Sequence, residues 1–174
     1  MKPGQKFRNA LKNNKPLIIP GTINAYSAKL AELANHNSIY LSGSGVAAAS
    51  YGLPDLGVTT LENVLIDAKR ITSATSLPLL VDIDTGWGDF DAISNTIIEM
   101  GNANVAAVHI EDQIFDKRCG HRPNKQLVSI DEMQDRLKAA LDAKIDDSFF
   151  IMARTDALAS EGIEKAIERC GKYL

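Results

Sequence analysis

Short apolar runs alternate with helix-patterned segments along this chain. Leu17-Ile18-Ile19, Ile39-Tyr40-Leu41, Pro78-Leu79-Leu80-Val81, Val105-Ala106-Ala107-Val108-His109-Ile110 and Phe149-Phe150-Ile151-Met152-Ala153 are nearly continuous in apolar residues. Strands covered on both faces read this way, without in–out alternation. Between them, residues 6–13, 25–35, 59–73, 90–101, 129–144 and 163–174 carry helix formers. Thr59-x-x-Glu62 and Ser129-x-x-Glu132 match capping boxes and mark two helix starts. Five strands alternating with helices predict an α/β fold, because parallel neighbours need crossover helices. No linker or low-complexity segment interrupts residues 1–174, which read as a single domain.

Composition adds exclusions. The 174 residues are 45% hydrophobic and 24% charged, ordinary values for a globular chain. A formal net charge of −3 gives no electrostatic case for nucleic acid or an anionic membrane. No apolar run approaches a membrane span, and the start lacks a signal peptide's apolar core. Cys119 and Cys170 show no framework spacing, which favours a reducing, cytoplasmic compartment.

Parallel α/β folds place their chemistry in the loops after the strands. Polar residues crowd those positions here: Tyr40, Ser42, Gly43 and Ser44; Asp82 and Asp84; His109, Glu111 and Asp112; Arg154 and Asp156. The loop Lys117-Arg118-Cys119-Gly120-His121 stands out. A thiol between cations and a histidine is in surroundings that favour the thiolate. Asp82 and Asp84, two apart at a strand end, can point to one side and offer hard oxygens to Mg²⁺. Helix capping by either Asp is the plainer alternative. Arg154 can hold a carboxylate by a bidentate pair, or pair structurally with Asp156 or Glu111. Ser42-Gly43-Ser44-Gly45 offers backbone N–H groups to an anion, or a tight turn. His109 inside an apolar run reads as a core histidine, Cys170 as helix packing, and Trp87 as a loop residue at the site rim.

These residues also carry a resemblance. Lys117-Arg118-Cys119-Gly120-His121-Arg122-Pro123-Asn124-Lys125 resembles the signature of the 2-methylisocitrate lyases, within the isocitrate lyase/phosphoenolpyruvate mutase superfamily. Tyr40-Leu41-Ser42-Gly43, Gly52-Leu53-Pro54-Asp55-Leu56-Gly57, Val81-Asp82-Ile83-Asp84, His109-Ile110-Glu111-Asp112-Gln113 and Met152-Ala153-Arg154-Thr155-Asp156-Ala157 follow in family order. The resemblance implies a (β/α)₈ TIM barrel and Mg²⁺-dependent cleavage of the tricarboxylate 2-methylisocitrate to pyruvate and succinate, a step of propionate catabolism. By position, Asp82 and Asp84 would hold the metal. Ser42, Gly43 and Ser44 would bind the oxo-acid half, and Arg154 its oxygens. Cys119 would be the general acid/base with Gly120 binding beside it. Tyr40, Asp55, Glu111, Lys117, Arg118 and His121 would support them. Isocitrate lyase activity is the runner-up within the superfamily.

Two departures bear on these expectations. Ser44 stands where the family usually has a second Gly. A complete barrel takes about 250 residues, and five βα units are legible here rather than eight. The chain is therefore expected to be the N-terminal part of a barrel, and a non-catalytic remnant is the competing expectation. The resemblance implies a homotetramer that exchanges C-terminal helices, which are not expected within these 174 residues.

Overall fold

The computed structural model describes residues 1–120 and 122–174. Helix α1 (Pro3–Asn13) leads to α2 (Ala25–Leu33) and strand β1 (Ile39–Leu41). A helical turn α3 (Gly43–Gly45) runs into a π-helical stretch (Val46–Ser50). Then follow α4 (Leu61–Ala74), β2 (Leu79–Asp82), α5 (Phe90–Asn102), β3 (Ala107–Glu111), α6 (Ile130–Asp142), β4 (Phe150–Arg154), α7 (Leu158–Glu161) and α8 (Ile163–Tyr173). The four strands form one parallel sheet in the order β1-β2-β3-β4.

The sheet thus has four strands rather than the expected five. Residues 17–19 form none. The chain touches β1 only through an isolated parallel bridge between Gly21 and Tyr40, where Tyr40 N–H donates to Pro20 O and Thr22 N–H to Tyr40 O. Pro16 and Pro20 flank the apolar run, and prolines cannot donate to a ladder. The capping box of α4 lies one residue later than expected, on Thr60 and Asn63. Ser129 caps α6 as expected, accepting from Glu132 N–H. The Glu132 side chain instead pairs with Arg136. Ser42-Gly43-Ser44-Gly45 is the start of a helix, not an isolated turn.

Strand register divides the sheet into two chemically different faces. Leu79, Val81, Val108 and Ile110 turn toward Val64, Ala68 and Ile71 of α4, Ile93, Ile97 and Met100 of α5, and Met133 and Leu137 of α6, in one buried core. On the other face the period of two stacks layers. The first layer is Tyr40, Leu80, Ala107 and Phe150, the second Asp82, His109 and Met152, the third Glu111 and Arg154. Helix α1 closes the apolar end of that face: Phe7 packs with Leu80, Ala106 and Ala107, its ring 5.4 Å from that of Phe150. Polar groups take over toward the carboxyl ends, and only there.

Candidate active site

The β2 end supplies two acids. Asp82 Oδ2 accepts from Gly43 N–H at 3.2 Å and from the Tyr40 hydroxyl at 3.3 Å. Its Oδ1 accepts from Asp84 N–H at 3.1 Å. Asp84 is in the left-handed region, at φ 48°, a conformation that Asp tolerates better than most residues. A Cβ built on Gly43 would lie 3.3 Å from Asp84 Oδ1 and 3.4 Å from Asp82 Oδ2. The missing side chain therefore lets the helix start sit directly against both carboxylates.

Asp84 is pushed up to about 6 by burial and by the neighbouring charge of Asp82. The Lys117 ammonium opposes this from 2.7 Å, an ion-pair contact rather than an aligned hydrogen bond, since Asp84 Oδ1 accepts none. Lys117 also donates to Asp55 at 2.6 Å. Burial disfavours its charge, but Asp84 and Asp55 outweigh that and hold its pKa above the ordinary lysine value. Lys117 thereby ties the 52–58 loop to the β2 end and to the cysteine loop.

On β3, His109 and Glu111 face the same side. His109 Nε2 is 2.9 Å from the Tyr40 hydroxyl, and its Nδ1, 3.6 Å from Asp82 Oδ1, makes no hydrogen bond. Burial lowers its pKa. It is thus part of the polar cluster and not a histidine of the apolar core. It stands two positions before Glu111 on one strand, with Ile110 between them, so the register puts both on one face. Burial pushes Glu111 up to about 8 despite Arg154, which pairs with it at 3.1 Å. Arg154 also pairs with Asp156 at 3.1 Å, so both structural pairings weighed for it are present. Its side chain is 31% exposed.

The remaining candidates divide. Ser42 and Ser44 share a 2.9 Å hydroxyl–hydroxyl hydrogen bond beside Gly43. Cys119 and Gly120 are half-buried, and a Cβ on Gly120 would run into the Arg154 guanidinium, so the loop passes directly over that cation. Arg118 joins through its peptide groups, while its side chain is exposed. His121 lies outside the described residues. Trp87 does not cover the rim: its indole donates to Thr59 O at 2.9 Å and packs on the core. Cys170 is exposed on α8 rather than packed. Gln113 and Asp112 received no role from the sequence, yet both are buried at this end of β3.

Two buried carboxylates at one strand end fit a hard divalent cation that keeps waters, as Mg²⁺ does. Among the described residues no group of three or more His, Cys, Asp and Glu forms a fuller cage. The acids outnumber the cations here: Asp55, Asp82, Asp84, Glu111 and Asp156 surround Lys117 and Arg154. Added positive charge would relieve the repulsion that raises Asp84.

A parallel α/β sheet that gathers acids, an arginine and a cysteine loop at its carboxyl ends has polar groups where folds of this class place their chemistry. The chain belongs to the phosphoenolpyruvate phosphomutase family, whose model matches residues 7–174. It is 63% identical over 171 residues to a 2-methylisocitrate lyase of Shewanella oneidensis, covering 98% of this chain and 59% of that one. It is 58% identical over 174 residues to a 2-methylisocitrate lyase of Escherichia coli, covering 99% and 58%. Among solved structures, a 2,3-dimethylmalate lyase superposes with a TM-score of 0.92 at 35% identity, covering 99% of this chain and 59% of that one. A phosphonopyruvate hydrolase in complex with oxalate and Mg²⁺ superposes at 0.84 and 31%, covering 99% and 59%. The chain spans about three fifths of the length of the curated relatives it matches. No helix among the described residues is long and apolar enough to cross a membrane.

Proposed function

We propose that this chain carries the metal, arginine and cysteine part of a 2-methylisocitrate lyase site. The observation that supports it best is the meeting of Asp82, Asp84, Glu111, Arg154 and the Cys119 loop at one end of the sheet, in a chain 63% identical to such a lyase.

The reaction breaks a C–C bond between a hydroxyl-bearing carbon and a carbon next to a carboxylate. The hydroxyl loses its proton, its carbon becomes the carbonyl of pyruvate, and the bonding pair goes to the carbon that becomes succinate. That carbon then takes a proton. Asp82 and Asp84 would hold a divalent cation, which when bound supplies positive charge where negative charge develops. Arg154 binds the oxo-acid oxygens and adds a fixed positive charge. Ser42, Gly43 and Ser44 line the place of the same half of the substrate, with the two serine hydroxyls as its polar contacts. Cys119 gives the proton to the succinate half. Lys117 opposes the rise at Asp84 and orients the Asp84 and Asp55 carboxylates. Tyr40 is held protonated by burial and by Asp82, so it donates to that carboxylate.

Pyruvate release from 2-methylisocitrate in the presence of Mg²⁺ tests this directly. Release that is lost in Cys119→Ser and Asp84→Asn is expected. A cooperatively folded chain that binds neither Mg²⁺ nor substrate would overturn the reading.

A further inference from the structure

Gln113 is 1% exposed at the end of β3, and its side-chain amide reaches three separate segments. Its Nε2, with two hydrogens to give, lies 2.9 Å from Glu111 Oε1, 2.6 Å from Asp156 Oδ2 and 2.9 Å from Arg118 O, so the three acceptors share two donors. Its Oε1 accepts from Arg118 N–H at 3.0 Å. The amide therefore pairs with both polar groups of one residue in the cysteine loop, as a neighbouring strand would. The same side chain reaches the acids at the ends of two strands. Its own backbone is fixed: Gln113 O accepts from Arg136 at 2.8 Å, and Gln113 bridges antiparallel to Leu127.

We propose that Gln113 is the positioning residue that sets the cysteine loop against the Glu111–Arg154–Asp156 cluster. This follows from side-chain chemistry. Only a primary amide of this length offers a donor and an acceptor to the Arg118 peptide while also donating to carboxylates. Glu cannot donate when ionised, and Asn is one methylene short. Arg118 directly precedes Cys119, so clamping its peptide fixes where the thiol starts. Groups that act on a reacting atom need such support, because a displacement of about 1 Å costs about a hundredfold in rate. The catalytic meaning of the clamp rests on the lyase reading, but the clamp itself can be measured without turnover.

The chain contains its own reference, since Cys170 is exposed on α8 and none of the Gln113 side-chain hydrogen bonds above runs to that helix. Iodoacetamide labelling of both thiols, resolved by peptide mass, is compared in wild type, Gln113→Ala and Gln113→Glu. Loss of both Arg118 hydrogen bonds should open the loop and speed Cys119 labelling about tenfold in Gln113→Ala, with Cys170 unchanged. Gln113→Glu keeps the acceptor but sets a further carboxyl against Glu111 and Asp156, so Cys119 labelling should be accelerated at least as much as in Gln113→Ala. Amide hydrogen exchange of wild type adds a readout independent of any variant: Arg118 N–H should be protected. A wild-type Cys119 rate in the folded variants overturns the proposal. Equal acceleration at both cysteines marks global loosening and overturns the local role. An unprotected Arg118 amide overturns it whatever the variants do. Absence of pyruvate release, by contrast, would count against the lyase reading and leave these results standing.

Discussion

Strands β3 and β4 lie side by side in register, Ala107-Val108-His109-Ile110-Glu111 against Phe150-Ile151-Met152-Ala153-Arg154. Both are short and apolar, and each ends on a charged residue. Yet β3 is buried at every position and β4 is only half-buried at every position. The residue types do not explain this. Strand β3 has a partner on each side, while β4 is an edge of the described sheet. Burial is set by neighbours, and it decides what each terminal charge can do. Glu111, enclosed, is pushed up to about 8. Arg154 stays charged, paired with Glu111 and Asp156. One pair of strands thus yields an acid pushed toward its protonated form and a cation held against it.

The largest expected effect breaks the tie between the two strands. Asp112, fully buried after β3, accepts from Thr155 and from Asp156 N–H beyond β4, and from Tyr173 and Arg169 of α8. Asp112→Ala should cost about 3–5 kcal/mol, since it leaves buried donors without their acceptor. Urea unfolding measures it, and a loss below about 1 kcal/mol would mean that β4 and α8 are held by other contacts.

The next effect sharpens the comparison itself. Ile110→Ala on β3 should cost about 2–5 kcal/mol, and Ile151→Ala on β4 less than half of that, because its site is already partly open. Equal losses in unfolding experiments would show that β4 is as enclosed as β3.

A smaller effect follows from protons. The folded chain holds a proton on Glu111 up to about 8, against 4.5 for an ordinary Glu. It holds one on Asp84 up to about 6, against 3.8. Folded protein therefore binds more protons than unfolded protein across this window. Stability from these groups is present at its lower edge and falls as pH rises through it. Glu111→Gln should flatten that decline between pH 4.5 and about 8. An unchanged slope of stability against pH would place the Glu111 carboxyl in a more solvated setting.

The smallest concerns Mg²⁺. Binding at Asp82 and Asp84 should raise the melting temperature, by the equivalent of about 2.7 kcal/mol at about a hundredfold excess over Kd. Asp84→Asn should abolish the rise. A rise retained in that variant would put the cation elsewhere.

Much of this was legible in the sequence, for stated reasons. The strands β1 to β4 could be read because buried parallel strands lack alternation, and the helices between them because their starts and apolar periods are marked. That Asp82, Asp84, Glu111, Arg154 and the Cys119 loop meet at one end of the sheet could be read because the loops after parallel strands share that end. Residues 17–19 misled because apolar content does not reveal a missing ladder donor at Pro16 and Pro20. His109 misled because a run of apolar neighbours hides which face a side chain takes until the strand register is known. Gln113 was silent because its role depends on three segments 2, 5 and 43 residues away in sequence, and no local pattern encodes that meeting.

Calorimetric titration of oxalate tests the central claim, that the acid pair, Arg154 and the cysteine loop form one site for a divalent cation and a small oxo-acid anion. Oxalate should bind only with Mg²⁺ present, and Asp84→Asn and Arg154→Met should each remove that binding. Oxalate binding that is indifferent to Mg²⁺, or that survives both substitutions in folded protein, would contradict the account.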